Sequence, residues 1–170
     1  VSDVVPEPTE TDHVVALWRL QSAYADVVTR RAWDELGRLF LPAAEVHLDL
    51  INNPSLTVTG PGDLGRFIGT SIERFDHFTF VVLNTVVELD TDAVDDPGLA
   101  TAASGRIFMC EIRHETSIDA WHNVYGIYQD TYRRVDGRWW IADRRYRSIS
   151  RQGPDAAVFG VPPGLGPLGR

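Results

Sequence analysis

The chain contains one cysteine, Cys110, which rules out an intramolecular disulfide and any cysteine-rich zinc site. It has no continuous apolar stretch of the roughly 18 residues that a membrane-spanning helix requires. Positive charge is scarce: 16 Lys and Arg stand against 24 Asp and Glu, giving a formal charge of −8 and an isoelectric point near 5.0. Nucleic acids and anionic membranes are held by clustered cations, so neither is expected as a partner. The opening segment Val1-Ser2-Asp3-Val4-Val5-Pro6 has neither the basic nor the apolar region of a signal peptide. Either the protein was never secreted or a signal was removed, and with a single cysteine a reducing cytoplasm is the expected location.

What is present suffices for one domain with a real core: 170 residues, 44% of them apolar. From Asp12 to about Arg31 a helical stripe runs through Val14, Leu17, Trp18, Tyr24, Ala25 and Val28, interrupted by Gln21, with Thr9 and Asp12 as its start signal. A short second helix carries Trp33, Leu36, Leu39 and Phe40 and is expected to stop at Pro42. Glu45 to Leu50 alternates as a half-buried strand. Gly60-Pro61 opens a third helix whose inner stripe is Leu64, Phe67, Ile68, Ile72 and Phe75. Strands follow over His77 to Leu89, Ala100 to Glu115, Trp121 to Val135 and Arg138 to about Ile149. Between the first two, Asp90 to Pro97 holds four aspartates but lacks the glycine and final glutamate of an EF-hand, so it reads as a solvated loop.

The order predicts an α+β fold: a curved, mostly antiparallel sheet with three N-terminal helices on one face. Residues 1–11 form an N-terminal extension, 12–151 the domain, and 152–170 a Gly- and Pro-rich tail docked over a pocket mouth or on a neighbouring subunit.

Asp136-Gly137 between aromatic and β-branched residues marks a two-residue hairpin, because a type I′ turn needs positive φ at both central positions. Pairing outward sets Arg134 opposite Trp139, Tyr132 opposite Ile141 and Tyr128 opposite Arg145. Strict alternation puts Tyr128, Asp130, Arg145 and Arg147 on the face of Trp139 and Ile141, so that this face passes from core to pocket. It also sets Asp130 against Asp143, which requires a bulge or a bridging arginine, expected to be Arg145. The other face carries Tyr125, Ile127, Trp140 and Tyr146, too much aromatic surface for solvent, and predicts a homodimer or higher homo-oligomer.

Several segments together resemble the SnoaL-like branch of the nuclear-transport-factor-2-like (NTF2-like) superfamily. They are Tyr24 with Trp33-Asp34, then Leu36 and Leu39-Phe40, Gly62-Asp63-Leu64 with Phe67, His77, and Gly126-Ile127-Tyr128-Gln129-Asp130-Thr131-Tyr132 leading into Asp136-Gly137-Arg138-Trp139-Trp140-Ile141. The resemblance implies a cone of curved sheet closed by three helices, no cofactor and no metal. It places His77 where the family's dehydratases carry a general-base histidine. The aspartate that orients that histidine corresponds to Thr29, which can hydrogen-bond but holds no compensating charge. Asp26, three residues earlier on the helix, points about 60° away from that face. Glu111 matches an acidic pocket residue of one dehydratase subgroup and shares a face with Gly105, Ile107 and Met109, with an ion pair to Arg113 or Arg106 as its plainer role. Tyr24 corresponds to a tyrosine that polarises a substrate carbonyl in related isomerases, whereas their base position falls on Leu48.

The catalytic candidates are therefore His77, Glu111 and Tyr24, with Thr29, Tyr128, Arg147 and Phe40 as substrate-binding candidates. His114 and His122 flank the turn from Glu115 to Asp119 without metal-ligand spacing and read as solvated loop histidines. Two functions are in view. One is a cofactor-independent lyase or isomerase that abstracts a proton from a small, largely apolar, cyclic molecule. The other is a non-catalytic ligand-binding or oligomerisation module that has lost the His-Asp dyad.

Overall fold

The computed structural model describes residues 7–51, 53–91, 97–166 and 168. The acidic loop's residues 92–96 and the first six residues of the N-terminal extension lie outside the described residues. Helix α1 (Glu10–Thr29) starts with a reciprocal cap: the Thr9 hydroxyl accepts from the Asp12 N–H, and the Asp12 carboxylate accepts from the Thr9 N–H at 2.8 Å. Its buried stripe is His13, Leu17, Leu20, Gln21, Tyr24, Val27 and Val28. Trp18, expected on that stripe, is 50% exposed, one position past the face that Leu17 anchors.

The expected second helix is a short 3-10 segment, Trp33–Arg38, and Phe40 already belongs to strand β1 (Phe40–Asp49). Pro42 sits inside that strand rather than ending a helix. It is tolerated because the β1 ladder with its neighbour is interrupted between Phe40 and Glu45, so no N–H is required there. A short strand β2 (Leu56–Thr59), absent from the sequence reading, pairs with β1 and runs directly into helix α2 (Gly60–Ile72) with Pro61 in its first turn. Phe75 lies beyond the end of α2 yet is buried beneath it.

Long strands β3 (His77–Asp90), β4 (Ala102–Glu115), β5 (Ala120–Val135) and β6 (Arg138–Gln152) complete the sheet, with a two-residue strand β7 (Ala157–Val158) on β6. The spatial order is β2-β1-β6-β5-β4-β3, antiparallel throughout except for the parallel β1/β6 pair. The helices pack on one face, so the architecture is the expected α+β cone. No helix among the described residues is long and apolar enough to cross a membrane.

The β5/β6 hairpin turns at Asp136 and Gly137 with φ of 51° and 76°, and Arg134/Trp139 and Tyr132/Ile141 are paired as expected. Beyond them the strict register fails twice. Thr131 pairs with Asp143, leaving Ala142 as an extra residue, and Gly126 pairs with Ser148 while Tyr125 pairs with Ser150, leaving Ile149 extra. Each bulge moves the following side chains to the opposite face. The inner face of β6 therefore carries Trp139 and Ile141, then Arg144, Tyr146 and Ser148, then Arg151.

Three expectations change as a result. Tyr128 pairs with Tyr146, not Arg145; Asp130 lies opposite Arg144, which bridges it, rather than opposite Asp143; and Arg145 and Arg147 point to the outer face. That outer face also loses Tyr146 to the interior, and Ile127 is already 1% exposed within the single chain. The tail runs along it: Phe159 and Gly160 donate to the bulged Ile149 carbonyl, and the Arg106 guanidinium reaches the Gly166 carbonyl.

Candidate functional site

Between α1, α2, β1 and the inner face of β4–β6 lies a cavity of about 240 Å³. One wall is aliphatic and aromatic, built by Val46 and Leu48 of β1 and by Leu64, Phe67, Ile68 and Ile72 of α2. The opposite wall is polar, and two glycines make room for tyrosine rings, one at this wall (Tyr146) and one in the buried network behind it (Tyr132). A Cβ on Gly105 would meet the Tyr132 hydroxyl at 2.6 Å, and one on Gly126 would meet the Tyr146 ring at 2.3 Å. With hydrogen in those places the two tyrosines lie flat across neighbouring strands.

At the inner end Arg144 is 1% exposed and fully engaged by Asp130: Nε donates to Oδ1 at 2.8 Å and Nη2 to Oδ2 at 2.6 Å. Gln21 closes the network. Its amide donates to Asp130 and to the Tyr132 hydroxyl, and its carbonyl accepts from Arg144 at 2.9 Å. This explains the polar break in the α1 stripe. The Arg144 guanidinium lies 4.3 Å from the Tyr24 ring centre and 4.0 Å from that of Tyr128, and its Nη1 has no hydrogen-bond partner among the described residues. Burial opposes the Arg144 charge, but Asp130 outweighs it and the group stays cationic above its ordinary range. Burial likewise holds the Tyr128 and Tyr146 hydroxyls protonated well into the alkaline range, so both remain donors at neutral pH.

At the outer end Glu111 and Arg113 form a close ion pair, and burial pushes Arg113 down to about 10. Tyr146 and Tyr128 lie within electrostatic reach of that guanidinium. Directly across the strand from Arg113 is His122, 7% exposed, with its ring edge against Phe75 at 5.4 Å. Its Nε2 has no hydrogen-bond partner among the described residues and stands 3.6 Å from the Glu115 carboxylate, which also meets Arg74 at 3.4 Å.

Of the expected site residues, Tyr24, Tyr128 and Glu111 line the cavity. His77 does not: it is exposed on the outer face, pairs with His114 across β3/β4, and its ring lies 5.4 Å from that of Trp121. It cannot act with Glu111, which sits on the inner face opposite Phe80. Thr29 lies beside Phe80 and not beside His77; its hydroxyl accepts the Phe80 N–H at 2.9 Å. The junction therefore holds no His-acid dyad: Thr29 stands in the aspartate's place, and His77 faces outward. Phe40 is core, packed on Tyr24 at 5.8 Å, and Arg147 pairs with Asp49 at 2.9 Å outside the cavity. His122 was missed as a loop histidine, although counting back in twos from Tyr128 through Gly126 and Val124 puts it on the inner face.

A family profile described as a SnoaL-like domain matches residues 9–145. Among curated proteins no match was found. Solved structures share the fold. A protein named as a scytalone dehydratase from Novosphingobium aromaticivorans is 21% identical, with a TM-score of 0.69 over 91% of this chain and 95% of its own. The hexachlorocyclohexane dehydrochlorinase LinA-type3 from Novosphingobium barchaimii is 17% identical, with a TM-score of 0.68 over 88% and 95%. A protein of unknown function from Mycobacterium tuberculosis is 17% identical, with a TM-score of 0.64 over 80% and 71%.

Proposed function

Because the chain belongs to the SnoaL-like domain family, we propose that its cone binds a small, largely apolar, cyclic molecule that carries an oxygen function, and stabilises negative charge on that oxygen as a lyase or isomerase must. The observation that carries this reading is the polar wall inside an otherwise apolar cavity. Protonated Tyr128 and Tyr146 and the cationic Arg113 and Arg144 all line it, and Arg144 keeps an unpaired Nη1. Donors fixed in a site that excludes water favour an oxyanion far more than the same donors in solution do. The aliphatic wall from β1 and α2 supplies the hydrophobic contact, and a volume of about 240 Å³ fits a molecule of one or two rings.

The base is not His77. The second reading, a ligand-binding protein without chemistry, is favoured by Thr29, which stands in place of the family's aspartate and whose hydroxyl is taken up by the Phe80 N–H.

Binding is tested by thermal shift and calorimetry with 4-nitrophenol and cyclohexanone as probes. Wild type should be stabilised by mass action. Ile68→Trp, which fills the cavity from α2, should abolish the effect, and Tyr128→Phe should weaken 4-nitrophenol more than cyclohexane-ring contacts alone require. No stabilisation by either probe, or stabilisation unaltered in Ile68→Trp, would overturn the reading.

A further inference from the structure

Resting on that cavity reading, we propose that His122 is the catalytic base of the site and Glu115 the residue that positions and charges it, a proton-transfer pair at the opposite end of the cone from Thr29.

Four observations converge on this pair. His122 is buried and lines the cavity. Its Nε2 is buried with no hydrogen-bond partner, an arrangement that costs stability wherever it has no use. A carboxylate lies 3.6 Å from that nitrogen, longer than a hydrogen bond, and contacts of this kind commonly tighten only when substrate is bound. Finally, Arg113 faces His122 across the strand and lies near the Tyr146 hydroxyl, which puts oxyanion donors beside the base rather than only at the far Arg144 end. The flat placement of Tyr146 over Gly126 is what extends its hydroxyl toward that end.

In the step itself, Nε2–H is directed at Glu115 and the other ring nitrogen, Nδ1, takes a carbon-bound proton. The electron pair of the broken C–H bond moves onto the adjacent carbonyl carbon–carbon bond, and the carbonyl pair moves to oxygen, where Tyr146 and Arg113 donate. The imidazolium then returns its proton, either to the γ-carbon of a dienolate formed from a β,γ-unsaturated carbonyl compound, which is isomerisation, or to a hydroxide leaving from the β-carbon as the carbonyl re-forms, which is dehydration. Glu115 favours the imidazolium during the interval. Arg74 on Glu115, Glu111 with Arg113, and Arg151 and Asp155 of the same cavity lining are the other charged groups at this end, and Glu115 is the carboxylate that faces the ring nitrogen at 3.6 Å.

5-Nitrobenzisoxazole tests the base without knowledge of the natural substrate. Proton loss from C3 forms the nitrile as the N–O bond breaks, and the released 2-cyano-4-nitrophenolate absorbs visibly. Wild type should exceed free imidazole, and His122→Ala and His122→Gln should each lose about 100-fold or more of the wild-type rate, the range for a positioned base. Both variants should still bind 4-nitrophenol, which establishes that they are folded and that the cavity survives, while His77→Ala should keep the full rate. Glu115→Gln should move the acid limb of kcat/KM to lower pH, because removing the carboxylate disfavours the imidazolium. A wild-type rate no greater than that of free imidazole, an undiminished rate in the His122 variants, or an unmoved acid limb in Glu115→Gln overturns the assignment. If 4-nitrophenol binding persists in those cases, the cavity reading stands without the base.

Discussion

The two ends of the cavity use the same kinds of side chain to opposite effect. At the inner end Asp130 takes two hydrogen bonds from Arg144, Gln21 joins both, and Tyr132 completes the set, so that within this group Arg144 Nη1 is the one side-chain atom with no partner among the described residues. At the outer end Glu111, Arg113, Glu115 and His122 form pairs that leave His122 Nε2 and Arg113 Nε without hydrogen bonds. A satisfied network specifies a structure, whereas an unsatisfied one is held open for something the chain does not itself supply. The difference makes the inner end chiefly architecture, with Arg144 Nη1 its one free donor toward the cavity, and gives the outer end the proton-transfer groups, even though both contain an arginine beside a carboxylate.

The most severe way to break this comparison is Asp130→Ala, which strands the Arg144 charge in the core. Urea denaturation should show a loss of about 3–5 kcal/mol, the range for removing one partner of a buried pair. A loss no greater than that of the outer-end variant below would mean that the ends do not differ. Gly126→Ala comes next. Its methyl group would meet the Tyr146 ring at 2.3 Å and the Met109 sulfur at 2.9 Å, so Tyr146 must lift. We expect a cost of about 1–3 kcal/mol, typical of overpacking, together with weaker 4-nitrophenol binding. Glu111→Gln removes the anion from Arg113, which keeps some solvent contact at 21% side-chain exposure, and should cost about 1–2 kcal/mol in the same assay. Smallest is His77→Ala. An exposed side chain tilted against exposed Trp121 should change stability by no more than about 0.5 kcal/mol, and a larger loss would give the outer face a structural role.

The fold was legible because its signals are local. The Thr9/Asp12 cap, the Gly60-Pro61 start, the Asp136-Gly137 turn and the four long strands each follow from short stretches of sequence. Errors arose where an irregularity carries no strong local mark. The bulge at Ala142 exchanged Arg144 for Arg145 on the inner face, and the one at Ile149 returned Arg151 to it. His77 was misplaced for a related reason: the inner residues of β3 start at Phe78, so the strand's first histidine faces outward and Phe80 meets Thr29. Even so, Asp130 opposite Asp143 was a usable warning, since like charges at a paired position call for the bulge that is found.

By itself the sequence determined the element order, the hairpin, the curved α+β sheet and the candidacy of Tyr24, Tyr128 and Glu111, because periodicity and turn chemistry act over a few residues. Tertiary structure alone decided which histidine faces the cavity, which arginine is buried between Tyr24 and Tyr128, and that Gln21 of the first helix meets Asp130 of β5. The physical reason is that a strand's two faces alternate with every residue. One extra residue in a bulge therefore exchanges inside for outside over the rest of the strand, and that single choice separates a structural ion pair from a reactive one.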